Sequence, residues 1–228
     1  MNKFSMTNLG SASLVLGMII EQGDGYIKVS QGNYVNSVLR KFEFHESNPA
    51  LTPGSPRLCT WSTPLTGIPG TLMYLVKTTR WDIGYSVLGL TRGMAAPTET
   101  HVVAAKRVLR FLRGTPDLPT VYCKGPLELD GSTDSDFAGD LESRRSCTGF
   151  LYMLGGGVIS SAAVLQKTIA QSTAEPELIA MYMASQEGVY LLNLLKELGV
   201  DIDHDAMSAL SLSSQAMFSS RTKHIATK

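Results

Sequence analysis

The sequence has few cysteines, no long apolar run and no net charge, and each of these absences excludes a class of protein. Its three cysteines, Cys59, Cys123 and Cys147, lie far apart and form no CxxC pair, so we expect neither a disulfide framework nor a zinc ribbon. The apolar runs fall well short of the roughly 18 residues that a membrane helix needs, so no membrane span is expected. Lysine plus arginine equals aspartate plus glutamate at 20 each, so no whole-molecule field attracts the chain to nucleic acid or to anionic lipid.

The composition that is present is that of a globular protein. The 228 residues are 43% hydrophobic and 18% charged, which excludes a highly charged disordered chain and allows one or two domains. Thr7, Asn8 and Ser11 dilute the start of the chain with polar side chains, so a secretory signal is not expected.

The first 60 residues predict a hairpin, a helix and a linker. Alternating segments at 14–21 and 26–31 flank a glycine-rich turn at 23–25, which is typical of a β-hairpin. Apolar residues recur at helical spacing over 34–42, so a helix is expected to lie on that hairpin. Prolines and glycines are frequent over 45–70, which indicates a linker.

Residues 61–120 predict a helical segment with one basic face. One or two buried helices are expected over 71–94, and a further helix begins after Pro97-Thr98 and ends at Gly114. This last helix carries basic residues on the face away from its apolar stripe: Lys106, Arg107, Arg110 and Arg113. Two interpretations stay open, a surface that holds nucleic acid through its phosphates and an ordinary solvated face.

Residues 121–228 predict an α/β (α+β) unit with a mixed sheet. Strands at 129–139, 148–154 and 158–163 are expected to form an antiparallel meander. A capping box at 172–175 opens a long helix, which crosses the sheet to a strand at 207–212.

Acidic side chains on the first of these strands indicate a candidate cation site. Asp134 and Asp136 alternate along the strand and therefore point the same way. A calcium loop is excluded, because Ala138 and Arg145 occupy positions that need oxygen ligands. One of the two aspartates, with Glu177 on a helix packed over the strand, would bring two carboxylates to one hard cation.

Several strings of residues, in this order and spacing, resemble a known family. The segments Gly131 to Asp140, Arg144 to Gly149, Gln166 to Glu177 and Arg221 to Ile225 resemble the ribonuclease H region of copia-type retrotransposon Pol polyproteins. Upstream, the segments Phe4 to Gly10, Gly70 to Leu75, Thr79 to Ile83 and His101 to Thr115 are similar to the C-terminal part of the same family's reverse transcriptase. The resemblance therefore covers nearly the whole chain.

The resemblance implies a fold, a reaction and partners. The implied fold is a ribonuclease H-like domain over 121–228, after a reverse-transcriptase tail over 1–60 and a helical connection over 61–120. The implied reaction is removal of the RNA strand of an RNA–DNA hybrid by two Mg²⁺ ions. The implied partners are that hybrid and the rest of the Pol polyprotein, without a membrane, in the cytoplasm or the nucleus.

Two residues carry the implied chemistry. Asp134 matches the family's first metal-binding aspartate, and Glu177 matches the glutamate that begins the pattern Glu-x-x-Ala, so both are the implied catalytic and metal-binding residues. Asp136 and Glu175 match positions that we expect to be structural.

Other residues depart from the family pattern. No Tyr-x-Asp-Asp string occurs, so polymerisation is not expected, and Ser213 stands where the third ribonuclease H carboxylate belongs. Trp81 replaces a proline, and the segment 161–163 replaces a Trp-Lys-Ser string. Loss of one metal ligand weakens metal binding strongly, because mutation of a residue that only orients a ligand already costs about 10- to 100-fold in metal affinity or activity. We therefore favour a catalytically degenerate fragment. A metal-dependent ribonuclease H and a non-catalytic nucleic-acid-binding module stay open as alternatives.

Overall fold

The computed structural model describes residues 10–54, 67–94, 96–140, 142–200 and 202. The elements, in chain order, are β1 (Leu14–Val15), β2 (Met18–Gly23), β3 (Tyr26–Ser30), α1 (Gly32–Lys41), α2 (Ile68–Thr78), a 3-10 turn (Trp81–Ile83), α3 (Gly84–Arg92), α4 (Glu99–Gly114), β4 (Thr120–Cys123), β5 (Leu129–Ser135), β6 (Cys147–Leu154), β7 (Gly157–Leu165) and α5 (Ala174–Glu197). The predicted α+β class is confirmed, and the arrangement is compatible with a ribonuclease H-like fold. Within these residues no helix is long and apolar enough to cross a membrane.

The first sheet has the order β1-β2-β3-β4 and contains the predicted hairpin. Strands β2 and β3 pair antiparallel, and Gly25 in their turn has φ +81°, a conformation that glycine adopts without strain. Strand β4 was not predicted. It pairs antiparallel with β3, with Thr120 opposite Val29, so the chain returns to the first sheet across the expected boundary between residues 120 and 121.

The four N-terminal helices pack around one apolar core. Helix α1 covers the predicted range and buries Val35, Val38 and Leu39. These side chains meet buried leucines, valines and isoleucines of α2, the 3-10 turn, α3 and α4 in a single cluster. The segments expected at 1–60 and 61–120 therefore share one core, and α1 is held to the helical segment by burial of apolar surface.

A charged side chain lies inside this helical core. Arg80 is 1% exposed, and its Nη2 lies 2.8 Å from Oδ2 of Asp82. Its Nη1 donates to the carbonyl of Thr115 at 2.7 Å, and its guanidinium carbon lies 5.5 Å from the centre of the Phe111 ring. A buried charge is tolerated only when it is paired and hydrogen-bonded, and Arg80 meets both conditions. It thereby fixes the 3-10 turn to the end of α4.

We predict that Arg80→Met lowers the free energy of unfolding by about 3 kcal/mol, because it leaves Asp82 and the Thr115 carbonyl without their partner. Urea unfolding of the two proteins measures this difference. The matched control is Arg40→Met on the exposed side of α1, which we expect to change the free energy by no more than about 0.5 kcal/mol. Equal effects of the two substitutions would contradict the role given to Arg80.

The second sheet is the predicted meander, with the order β5-β6-β7 and antiparallel pairs throughout. The glycine turn between β6 and β7 has φ +58° at Gly155 and +81° at Gly156. Helix α5 follows, and Gly199 closes it with φ +71°, as expected. The capping box takes a different form, because Glu175 accepts a hydrogen bond from the amide of Gln171 rather than from Ser172. The strand expected at 207–212 lies outside the described residues.

Candidate functional site

The two faces of the second sheet meet different partners. On one face the Tyr152 hydroxyl donates to the Ala184 carbonyl of α5 at 2.5 Å, and the Ser160 hydroxyl donates to Glu187 of α5 at 2.6 Å. The opposite face lies toward α2, the 3-10 turn and α3, with a cavity between them. The sheet is therefore a middle layer between α5 and the N-terminal helices.

Asp134 belongs to the face that looks toward α3. Gly131 pairs with Tyr152, whose ring packs over it on the α5 side, while Asp134 pairs with Gly149. Because side chains alternate along a strand, residue 134 points away from the face that residue 131 shares with Tyr152. The exposed Asp134 accordingly lines the cavity, together with Ser132 and Leu151 of the same face.

Glu177 lies in the first turn of α5, which packs on the other face. The buried Gln166 fastens this end of the helix, because its Nε2 donates to Thr148 Oγ1 at 2.9 Å and to the Pro176 carbonyl at 3.0 Å. Since Thr148 pairs with Ser135, α5 begins over the end of the sheet at which Asp134 lies. The two predicted ligands therefore lie at the same end of the sheet, but Asp134 lines the cavity on the α3 side, whereas Glu177 belongs to the helix on the other side.

The described residues contain no group of three acidic, histidine or cysteine side chains that could hold a metal ion. Ser213 lies outside them, so its position is not described. The assignment of Asp134 and Glu177 as metal ligands stays a prediction.

The structure places Asp136 in a supporting contact. Its Oδ1 accepts a hydrogen bond of 2.6 Å from the amide of Cys147, and its Oδ2 lies 3.4 Å from the hydroxyl of Tyr85. It thus joins the end of β5 to the start of β6 and to α3. Burial, with the charge of Asp136, raises the pKa of the Cys147 thiol to about 11, so that thiol stays protonated and is not a nucleophile.

An ion pair that the sequence analysis missed joins α3 to the loop after β5. Arg92 holds both carboxylate oxygens of Asp140, at 2.5 Å from Nη1 and 2.6 Å from Nη2, and the amide of Ser143 donates to the same carboxylate at 2.8 Å. Hydrogen bonds from Arg92, followed by those from Ser143, lower the pKa of Asp140 far below its usual range. The two partners lie 48 positions apart in the chain, so no local sequence pattern connects them.

Three of the four basic residues predicted to bind nucleic acid hold a neighbouring segment of the chain. We call residues 45–52 the strap. The Nε atoms of Arg113, Arg110 and Arg107 donate to the carbonyls of His45, Asn48 and Thr52 at 2.6, 2.6 and 3.1 Å. Lys106 stands next to this row on α4 and also has an interaction of its own.

The row of arginines therefore runs antiparallel to the strap and fastens it along α4. Helical spacing identified the row as one face, but it carried no information about what packs on that face. The nucleic-acid role of these residues stays a prediction.

Known proteins resemble this chain over nearly its full length. No protein-family model and no solved structure matches. The chain is 35% identical to the retrovirus-related Pol polyprotein from transposon TNT 1-94 of Nicotiana tabacum, across 97% of this chain and 18% of that polyprotein. Its identity to the corresponding polyprotein from transposon RE1 of Arabidopsis thaliana is 34%, across 98% of this chain and 16% of the relative. The chain belongs to the retrovirus-related Pol polyproteins of copia-type transposons.

This Pol chain spans less than a fifth of the length of those two polyproteins. It is also 40% identical to secreted RxLR effector protein 161 of Plasmopara viticola, across 56% of this chain and 91% of the effector. The resemblance to the Pol family that the sequence motifs indicated is thereby confirmed.

Two departures from the Pol pattern meet in the structure. Trp81, which replaces a proline, lines the cavity beside Asp134, and so do Ser161, Ala162 and Ala163, which replace a Trp-Lys-Ser string. The large side chain of Trp81 and the small side chains at 161–163 therefore line the same cavity. The two changes alter the same cavity rather than unrelated surfaces.

We predict that the ion pair between Arg92 and Asp140 makes the stability of this Pol chain depend on acidic pH. Because the pKa of Asp140 is lower in the folded state than the ordinary aspartate value of 3.8, its contribution is complete above that ordinary value and is lost as the pH falls toward the folded pKa. The free energy of unfolding should therefore fall more between about pH 6 and about pH 3 in the natural chain than in Asp140→Asn.

Chemical denaturation at a series of pH values measures this difference. Glu21→Gln is the control, because Glu21 pairs with Lys28 at an exposed site. That variant should follow the pH profile of the natural chain, and a similar profile in Asp140→Asn would show that the pair contributes nothing.

The contacts of the strap predict where the chain loosens when its arginines are replaced. In the triple variant Arg107→Gln, Arg110→Gln and Arg113→Gln, amide hydrogen exchange within 45–52 should become roughly tenfold faster or more, because hydrogen bonds from a charged donor are lost. Exchange in the buried core of α4, at Val108 and Leu109, should change little. If the strap exchanges as slowly as before, the arginines do not hold it.

Proposed function

We propose that this Pol fragment is catalytically degenerate and does not hydrolyse RNA in RNA–DNA hybrids. The observation that supports the proposal is the different surroundings of the two matched carboxylates. Asp134 opens into the cavity beside α3, whereas Glu177 belongs to α5, which packs on the other face. With Ser213 at the third position, a metal ion there would also have one carboxylate ligand fewer.

The donor set does not fit a pair of Mg²⁺ ions. Mg²⁺ requires near-ideal octahedral oxygen ligation, and a two-metal site needs carboxylates that converge on ions about 3.5 to 4 Å apart. Asp136 is occupied by the Cys147 amide and Asp140 by Arg92 and Ser143, so neither is available beside Asp134. We therefore derive no hydrolytic step through metal ions in this chain.

A nucleic-acid-binding module is the less favoured alternative for the same chain. The guanidinium Nε atoms of Arg107, Arg110 and Arg113 are used by the strap, so phosphate binding through them would compete with contacts that hold the fold. We infer that this row is first of all structural and that the RNA–DNA hybrid is not a principal partner.

The proposal is tested with a labelled RNA–DNA hybrid in Mg²⁺ and, separately, in Mn²⁺. The natural chain should cleave no more RNA than Asp134→Asn, a variant that should fold normally because this carboxylate makes no hydrogen bond or ion pair within the described residues. Cleavage that requires the divalent ion and disappears in Asp134→Asn would overturn the proposal.

A second variant, Ser213→Asp, restores the carboxylate at the third position. We expect it to remain inactive, because the sheet still separates Asp134 from the helix of Glu177. Recovery of cleavage in Ser213→Asp would show that only one ligand is missing and that the remaining carboxylates do converge. Circular dichroism of both variants confirms that a negative result does not come from unfolding.

A further inference from the structure

The cavity between the N-terminal helices and the second sheet has the size and lining of a small-molecule site. Its volume is about 390 Å³, within the range of about 300 to 1,000 Å³ that is typical of such sites. Met73, Val76 and Leu88 of the helices and Leu151 of the sheet give it apolar walls. Its floor is open, because Gly149 and Ala163 present little or no side chain there.

Two carboxylates line this cavity, and they differ in their contacts. Within the described part of the chain, the carboxylate of Asp134 has neither a hydrogen bond nor an ion pair. The other carboxylate of the lining, Asp82, is engaged by Arg80. An ionised carboxylate accepts hydrogen bonds only, and its two oxygens suit two parallel N–H donors. Asp134 therefore favours a ligand with a pair of adjacent N–H groups.

Two exposed aromatic side chains complete the lining. Trp81 is 42% exposed and Tyr85 is 63% exposed, and both line the cavity. The hydroxyl of Tyr85 lies 3.4 Å from Asp136, which follows β5 two residues after Asp134, so Tyr85 stands on the side of the sheet that Asp134 faces. Aromatic faces stack on flat rings, so the cavity favours a planar ligand.

We propose that this cavity binds a planar heteroaromatic base whose edge carries two adjacent N–H donors, of which guanine is the natural example. The N1–H and the 2-amino group of guanine would donate to the two oxygens of Asp134, while its ring packs among Trp81, Tyr85 and the apolar walls. Adenine and uracil place an acceptor next to each donor on that edge, and that acceptor would face the carboxylate. The site needs no metal ion, so it is independent of the proposed loss of hydrolysis.

The fluorescence of Trp81 reports binding directly. The chain has two tryptophans, so Trp61→Phe leaves Trp81 as the single fluorophore. Titration of this variant with guanosine should give a saturable change. Inosine, which lacks only the 2-amino group, should bind roughly tenfold more weakly or worse, and adenosine should bind more weakly still, because a bidentate pair is worth about 1 to 3 kcal/mol of discrimination.

Substitution of Asp134 distinguishes specific binding in this cavity from nonspecific binding. Asp134→Asn in the Trp61→Phe background should weaken guanosine roughly 10- to 100-fold and remove the preference over inosine. Asp130→Asn is the matched control, because Asp130 lies on the same strand and side but does not line the cavity. It should leave the affinity unchanged.

Two results would overturn the proposal: no saturable change with guanosine, or equal affinities in the natural and Asp134→Asn sites. A thymidine oligonucleotide with one central guanine distinguishes the source of the base. Tenfold tighter binding than guanosine would support a base presented by a single strand, and equal affinity would support a free nucleoside.

Discussion

The buried guanidinium of Arg80 is the interaction on which the arrangement of this chain depends. A charge at 1% exposure is stable only because Asp82 and Thr115 satisfy it, and these two partners belong to different elements. The same contacts orient the 3-10 turn, and with it Trp81, toward the second sheet. The wall of the cavity is therefore fixed from inside the helical core, and the position of the candidate site follows from the packing of the N-terminal half.

The contact between the two halves of the chain is polar as well as apolar. Arg92 reaches Asp140, and Tyr85 reaches Asp136, so α3 holds the loop that follows β5 at two points. Acidic residues crowded over this stretch would otherwise repel one another. Strand β4 adds a backbone link, because Cys123 donates to the Gly155 carbonyl at 2.7 Å while it pairs with the first sheet. These contacts join the described residues on either side of the expected boundary at 120–121.

The sequence predicted those features that local periodicity encodes. The hairpin, α1, α4 and the meander were confirmed, because alternation, helical spacing and glycine turns act over a few residues. Strand β4 was missed, since its four residues are shorter than a periodic signal and its partner β3 lies about 90 positions earlier. Alternation also placed Asp134 and Asp136 on one side of the strand, but it could not tell which side α5 covers. Tertiary packing determines which face of the sheet α5 covers, and therefore which groups the two carboxylates can contact.

The carboxylates of Asp134, Asp136 and Asp140 differ in whether they make structural contacts. Asp136 holds the start of β6, and Asp140 holds α3, so stability alone suffices to retain both. Asp134 has no such partner among the described residues, and an exposed carboxylate beside apolar walls adds nothing to the core. Asp134 is thus the carboxylate of this region whose oxygens stay available to a ligand, and the base proposed for the cavity would use them.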